Sequence, residues 1–197
     1  MFYLGKLRNY IIFSYLYYKG ISYENIAEYK KALHYLFLAV SLNPKSIQCN
    51  KAVARTHLKD NQIYYAFDFY SKAIYRFPKD SELYSFRAFM FRKEKKYDKA
   101  IEDLDNAIKF EPSNISNYKN RASLKYLTND LQGAVNDMTA CICWNENNYK
   151  LYEQRAFYKL EMKNYQGAID DFNKALQINE NSKHSKLMLE ELCKLSN

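Results

Sequence analysis

The feature that most constrains this chain is a spacing. Pro44, Pro78 and Pro112 stand at one constant interval, and Glu146 and Glu180 continue the series. An alanine precedes each by the same offset, at Ala32, Ala66, Ala100, Ala134 and Ala168. A third column reads Ala39, Ala73, Ala107, Cys141 and Ala175, and a fourth Gly20, Ala54, Ala88, Ala122 and Ala156. Four columns hold one register with no insertion. A fixed period of this length marks stacked copies of one supersecondary unit, because a lone copy cannot bury its own apolar face.

The unit is plainest at residues 97–112, YDKAIEDLDNAIKFEP. Ala100, Ile101, Leu104, Ala107 and Ile108 fall at i, i+1, i+4, i+7 and i+8, which draws one apolar stripe along a helix. Asp98, Glu102 and Asp103 come early and Lys109 late, as the helix dipole prefers. Pro112 stops the helix, since it lacks an N–H and crowds the preceding turn. The pattern returns two periods later at 165–180, YQGAIDDFNKALQINE. The small columns have a packing reason: two helices approach to about 8–10 Å only where the residues at the crossing are small. Cys141 suits such a slot as a small buried hydrophobe.

A small residue in a first helix, Ala-x3-aromatic and a further Ala in a second, then Pro, all at a period of 34, resembles the tetratricopeptide repeat. The resemblance covers residues 13–182 as five repeats: 13–46, 47–80, 81–114, 115–148 and 149–182. It implies an all-α, right-handed superhelical solenoid of helix-turn-helix units. Residues 1–12 then read as an N-terminal extension of the first helix, and 183–197 as a C-terminal capping helix carrying Leu187, Leu189, Leu192 and Leu195. Were 1–12 the end of a further second helix, Phe2 and Gly5 would take its aromatic and small slots. Turns are expected near residues 23–25, 59–61, 95–96, 128–130 and 163–164. Two columns depart from the family. Repeat position 11, usually Tyr, reads Tyr23, His57, Phe91, Lys125 and Lys159; position 4 reads Leu16, Asn50, Tyr84, Tyr118 and Tyr152.

One coupling crosses the columns. Arg87, Arg121 and Arg155 share a position in the first helices, and Asp103, Asp137 and Asp171 share one in the second helices. The first two repeats lack both, with Lys19 and Tyr35, then Val53 and Phe69. Joint presence and joint absence predict an Arg–Asp pair between helices.

The net charge of +8 is uneven. Residues 1–46 carry +4 and 47–80 carry +3, while each of the next three repeats is neutral. The four cysteines, at 49, 141, 143 and 193, have neither redox nor zinc spacing, so reduced thiols in a cytoplasmic protein are expected. The apolar run 11–18 follows Lys6 and Arg8, yet it is short, rich in Tyr and followed by no small-residue cleavage site. Nothing reads as a membrane span. His34, His57 and His184 are scattered, and no phosphate loop or nucleophile motif occurs. Hence no enzyme, no cofactor and no metal site is expected.

In the tetratricopeptide family the first helices line a concave groove that receives extended peptides. The groove positions of that family fall here on Tyr17, Lys51, Arg55, Phe86, Phe89, Arg92, Lys119, Asn120, Lys150 and Phe157. The resemblance thus implies a protein-interaction scaffold whose partner brings carboxylates and apolar anchors. Lys51 and Arg55 would steer, and Phe86 and Phe89 would anchor. The carboxylate clamp of chaperone-binding members is matched only at Asn120 and Lys150, against Ser85, Phe89 and Gln154 at its other positions. Binding to acidic chaperone tails is therefore not expected. The alternative reading is an RNA-binding helical repeat that uses the basic N-terminal half. Against it, the cations are divided between the groove and the outer second helices.

Overall fold

The computed structural model describes residues 2–195, with side chains over 6–194. Among these there are eleven α-helices and no strand. They are α1 (Phe2–Asn25), α2 (Tyr29–Leu42), α3 (Ile47–Lys59), α4 (Ile63–Arg76), α5 (Ser81–Lys93), α6 (Tyr97–Phe110), α7 (Ile115–Leu127), α8 (Leu131–Trp144), α9 (Tyr149–Glu161), α10 (Tyr165–Ile178) and α11 (Lys183–Leu195). The all-α expectation holds. α1 is one uninterrupted helix from Phe2; the side chains of Phe2 and Gly5 lie outside the described residues.

Local signals recur with the same period as the small columns. Each first helix from α3 onward begins after a side chain that accepts a hydrogen bond from its first turn. Ser46 accepts from the N–H of Cys49, Asp80 from Leu83, Asn114 from Ser116, Asn148 from Lys150 and Ser182 from Ser185. These caps satisfy amides that no intrahelical carbonyl can reach. The turns to the second helices each contain one residue in the left-handed region: Ala27, Asn61, Lys95, Asn129 and Lys163, with φ of 57 to 64°. The first turn lies later than the sequence suggested. Glu24 and Asn25 resemble turn formers, but α1 continues through both, and the chain reverses at Ala27. Glu24 stays helical because its carboxylate is buried against Arg55 and Lys59.

Contacts divide the chain into two compact units at the Met90–Phe91 peptide, within α5. In the first unit, Leu33, Leu36, Ala39, Cys49, Ala52 and Val53 form a core on which Phe13, Leu16 and Tyr17 pack. Gly20 is at the α1–α2 crossing, where an added Cβ would lie 2.7 Å from Leu36 Cγ. In the second unit one core joins Ala122, Ala134, Met138, Cys141, Leu151 and Tyr152, and another joins Ala156, Ala168, Phe172 and Leu192. The alanine columns are buried throughout, at no more than 2 % exposure. Gly133 has a different reason to lack a side chain: its Cβ would overlap the Asp130 carboxylate that caps α8.

The Arg–Asp coupling is present in the two copies that lie wholly within the second unit. Arg121 donates through Nε to Asp137 at 2.9 Å and through Nη2 at 2.5 Å; Arg155 does the same to Asp171 at 2.9 and 2.6 Å. Lys125 and Lys159, the atypical residues at position 11, add bonds of 3.1 and 2.9 Å to the same two carboxylates. The arginines also reach the preceding second helix, at Asp105 (2.6 Å) and Thr139 (3.1 Å). Burial opposes the charge on Arg121, but the bonds to Asp137 and Asp105 outweigh it and hold its pKa above the ordinary value.

Candidate partner-binding surface

The ten residues picked from the sequence meet different fates. In the first unit, Tyr17 is half-buried, stacked on Phe13 at 6.3 Å, and its hydroxyl pKa is raised chiefly by burial. Lys51 reaches Asp80 at 2.7 Å and Glu82 at 2.6 Å. Arg55 grips the buried Glu24 through two bonds of 2.8 Å, with Lys59 at 2.8 Å on the same carboxylate. Burial alone would raise the Glu24 pKa; the bonds from Arg55 and Lys59 reverse that and lower it. Phe86 stacks on Tyr70 at 5.3 Å. Phe89 is 44 % exposed. The positive charge of Lys51 and Arg55 is thus met within the chain.

Of the five in the second unit, Lys119, Lys150 and Phe157 come together, while Arg92 and Asn120 are not among the residues lining the same hollow. Lys119 from α7, Lys150, Glu153, Gln154, Phe157 and Tyr158 from α9, and His184 from α11 line one cavity of about 490 Å³. The α7 and α9 residues share it because first helices lie side by side, each packed on the second helix between them. Asn120 is exposed next to Lys119 on α7. Phe157 forms the apolar wall, with its ring 5.4 Å from Tyr126 and 5.6 Å from Tyr158. Burial pushes the Tyr158 hydroxyl pKa up, Tyr126 adds to the shift, and the charge of Arg92 opposes it.

Electrostatics distinguish this cavity from the surface around Lys51. Glu153, the lining carboxylate, accepts from Ser182 Oγ at 2.5 Å and Ser185 Oγ at 2.7 Å. It is engaged at the N-terminus of α11, where the helix dipole favours an anion. Neither Lys119 nor Lys150 has an ion-pair partner among the described residues; Lys150 only approaches the Tyr149 ring, at 6.0 Å. The arrangement leaves two lysines, the Gln154 amide and an aromatic wall facing one hollow. Tyr158, Glu153 and His184 escaped the sequence reading. His184 could have been found by running the repeat register one step past residue 182, which gives it the same repeat position as Lys150.

Comparison with known proteins identifies the repeat in part of the chain. The tetratricopeptide repeat model matches residues 81–114 and 149–182. Those two stretches are tetratricopeptide repeats. A search of curated proteins finds no significant match. Solved structures share the fold. A crystal structure of MamA superposes with a TM-score of 0.75 at 14 % identity, covering 86 % of this chain and 92 % of MamA. PilF of Pseudomonas aeruginosa gives 0.73 at 16 % identity, over 95 % of this chain and 85 % of its own. YrrB, described as a TPR protein with an unusual peptide-binding site, gives 0.70 at 13 % identity, over 91 and 90 %. At these identities the likeness is one of fold. The residues that depart from the repeat pattern, Lys125 and Lys159, are structural partners of the buried aspartates. No described helix is long and apolar enough to cross a membrane.

Proposed function

We propose that this helical-repeat protein is an interaction scaffold that captures a polypeptide carrying carboxylates and an apolar anchor in the hollow of α7, α9 and α11. The observation that carries this is the contrast in cation availability. Lys119 and Lys150 line the hollow without an ion-pair partner among the described residues, whereas Lys51 and Arg55 are already paired. A partner carboxylate would gain charge-assisted bonds from the two lysines and a further bond from the Gln154 amide, with Asn120 a contact outside the hollow. An apolar side chain would lie against Phe157 and Tyr126, with Arg92 as a further cation nearby. Tyr17, Phe86 and Phe89 are proposed as a separate aromatic contact surface on the first unit. The same pairing weakens the nucleic-acid reading. In the basic N-terminal half, Arg55 and Lys59 bond to Glu24, Lys51 to Asp80 and Glu82, Lys72 to Asp68, and Lys31 to Glu28.

The test is an array of acidic peptides with single aromatic or leucine anchors, probed with wild type and with Lys119→Glu/Lys150→Glu. Wild type should select peptides that hold both features, and affinity should fall by at least about tenfold in the variant, given about 1.4 kcal/mol per decade. Equal retention by both proteins, or selection of single-stranded RNA spotted on the same array, refutes the proposal.

A further inference from the structure

We propose that the hollow of α7, α9 and α11 receives a phosphoryl group carried on a side chain of the partner polypeptide; this rests on the scaffold reading above and names the chemistry of its anchor. Equivalent positions in the repeats supply the comparison. Lys51 on α3 and Glu82 on α5 stand at repeat positions 5 and 2 of neighbouring first helices, and they bond at 2.6 Å. Asp80, which closes the repeat of Lys51, brings a second carboxylate to the same ammonium group at 2.7 Å. Two repeats further on, the positions of Lys51, Asp80 and Glu82 hold Lys119, Asn148 and Lys150. The first lysine is kept, one carboxylate has become an amide, and the other has become a second lysine. Asn148 is engaged as the cap of α9, where its side chain accepts from the Lys150 N–H at 3.2 Å. A pair that attracts across α3 and α5 is thus a pair of like charges across α7 and α9, and both lysines line one cavity of about 490 Å³.

Two ammonium groups around one hollow repel, and an anion between them reverses the sign of the interaction. A single carboxylate balances one of them. Two carboxylates brought into the same space would repel each other. A phosphoryl group carries a charge of about −1.5 to −2 and three acceptor oxygens on one centre, so it answers both lysines from one point. The rest of the lining suits the same group. Gln154 and His184 have no hydrogen-bond partner among the described residues, and each offers an N–H donor whatever the protonation of the imidazole. Glu153 does not compete for the lysines. Its Oε1 accepts from the hydroxyls of both Ser182 and Ser185, at the N-terminus of α11 where the helix dipole favours an anion. Those bonds tie the start of α11 to α9, and the edge contact of the His184 ring with buried Phe172, at 5.9 Å, holds the imidazole against α10.

The openness of the hollow selects a residue in a chain over a free phosphate ester. Lys119, Lys150, Gln154, Phe157 and His184 are all exposed. A small molecule lodged there would keep much of its surface in water, whereas small-molecule sites cover most of their ligand. A phosphorylated residue needs no such cover, because its neighbours continue over the helices. The ring of Phe157, set 5.4 Å from Tyr126 and 5.6 Å from Tyr158, offers the next residue an apolar wall.

Fluorescence anisotropy with four labelled peptide pools tests this. The pools have blocked termini and uncharged degenerate flanks, and they differ only in a fixed centre: phosphoserine, serine, one glutamate or two glutamates. Wild type should bind the phosphoserine pool at least about tenfold more tightly than either glutamate pool, and should leave the serine pool unbound. Lys119→Gln and Lys150→Gln, single changes at exposed positions, should each lower phosphoserine affinity at least about tenfold and erase the preference over glutamate, with helix content unchanged by circular dichroism. The phosphoryl assignment falls if a glutamate pool binds as tightly as the phosphoserine pool, or if both single variants keep the wild-type preference. It falls too if inorganic phosphate displaces the phosphoserine pool at concentrations as low as the pool's own dissociation constant, the mark of a free-anion site. The two readings fail separately. Glutamate pools held by wild type and lost by Lys119→Glu/Lys150→Glu would leave the scaffold reading standing and overturn the phosphoryl anchor, whereas binding of none of the four pools would end both.

Discussion

Repeats 1 and 4 fill the same three positions with different chemistry. In the first, Tyr23 stacks on Tyr35 with ring centroids 5.4 Å apart and planes 9° from parallel, and Lys19 Nζ stands 4.6 Å over the Tyr35 ring. In the fourth, Arg121 and Lys125 converge on Asp137, whose side chain is 3 % exposed. Repeat 2 follows the aromatic form, with His57 5.5 Å from Phe69, and repeat 5 the ionic form, with Arg155, Lys159 and Asp171. The comparison teaches that these positions act as one joint between the two helices of a repeat. A ring pair fills it in the first two repeats and a carboxylate with two cations in the fourth and fifth, while the third combines Arg87 and Asp103 with Phe91; wherever the buried carboxylate is present a cation accompanies it in the sequence, since a buried charge without a partner is costly.

The largest effect is expected from spoiling one joint. Asp137→Ala strands Arg121 and Lys125 in a half-buried site and should cost about 3 kcal/mol in guanidinium unfolding. Replacing the whole set with that of repeat 2, Arg121→Val, Lys125→His and Asp137→Phe, should recover most of that loss. A triple variant no more stable than the single one would show that the three positions do not act together.

A smaller effect concerns the ionic site of the aromatic half. Glu24→Gln should cost about 2 kcal/mol, because the amide cannot serve both Arg55 and Lys59. The pH dependence has a definite sign. The Glu24 pKa in the folded chain is lowered, so its stabilisation is complete above the ordinary carboxylate value of 4.5 and is lost as pH falls below it toward the folded value. Stability against pH should therefore slope less below 4.5 in Glu24→Gln than in wild type; parallel curves would contradict the assignment.

The smallest effect sharpens the comparison at another shared position. Tyr70 and Phe172 are equivalent and fully buried, but the Tyr70 hydroxyl has no hydrogen-bond partner among the described residues. Tyr70→Phe should stabilise by up to about 1 kcal/mol, and Phe172→Tyr should destabilise by at least as much, both read from thermal midpoints. A loss of stability in Tyr70→Phe would mean that the hydroxyl is bonded.

Legibility was uneven for identifiable reasons. The period, the buried small columns and the Arg–Asp coupling could be read directly, because each recurs in several copies and repetition separates signal from chance. The cap column Ser46, Asp80, Asn114, Asn148 and Ser182 was equally periodic, yet it hid among many polar residues near the turns. The site was harder to read. Lys51 and Lys150 look alike as exposed cations at groove positions, and nothing local in the sequence tells them apart. Asp80 closes Lys51's own repeat and Glu82 opens the next one, about thirty residues further along the chain, and only packing brings them within 2.7 Å of its ammonium group.

Sequence alone determined that this chain is a stack of helix pairs and, after the first pair, roughly where each one turns, because helix periodicity, small crossing residues and a constant spacing are local properties repeated along it. Tertiary structure decided which cations remain available, which faces of the helices are covered, and that α1 runs through Glu24. Those outcomes depend on side chains distant in sequence meeting in space, and on whether a neighbouring helix is there to meet them.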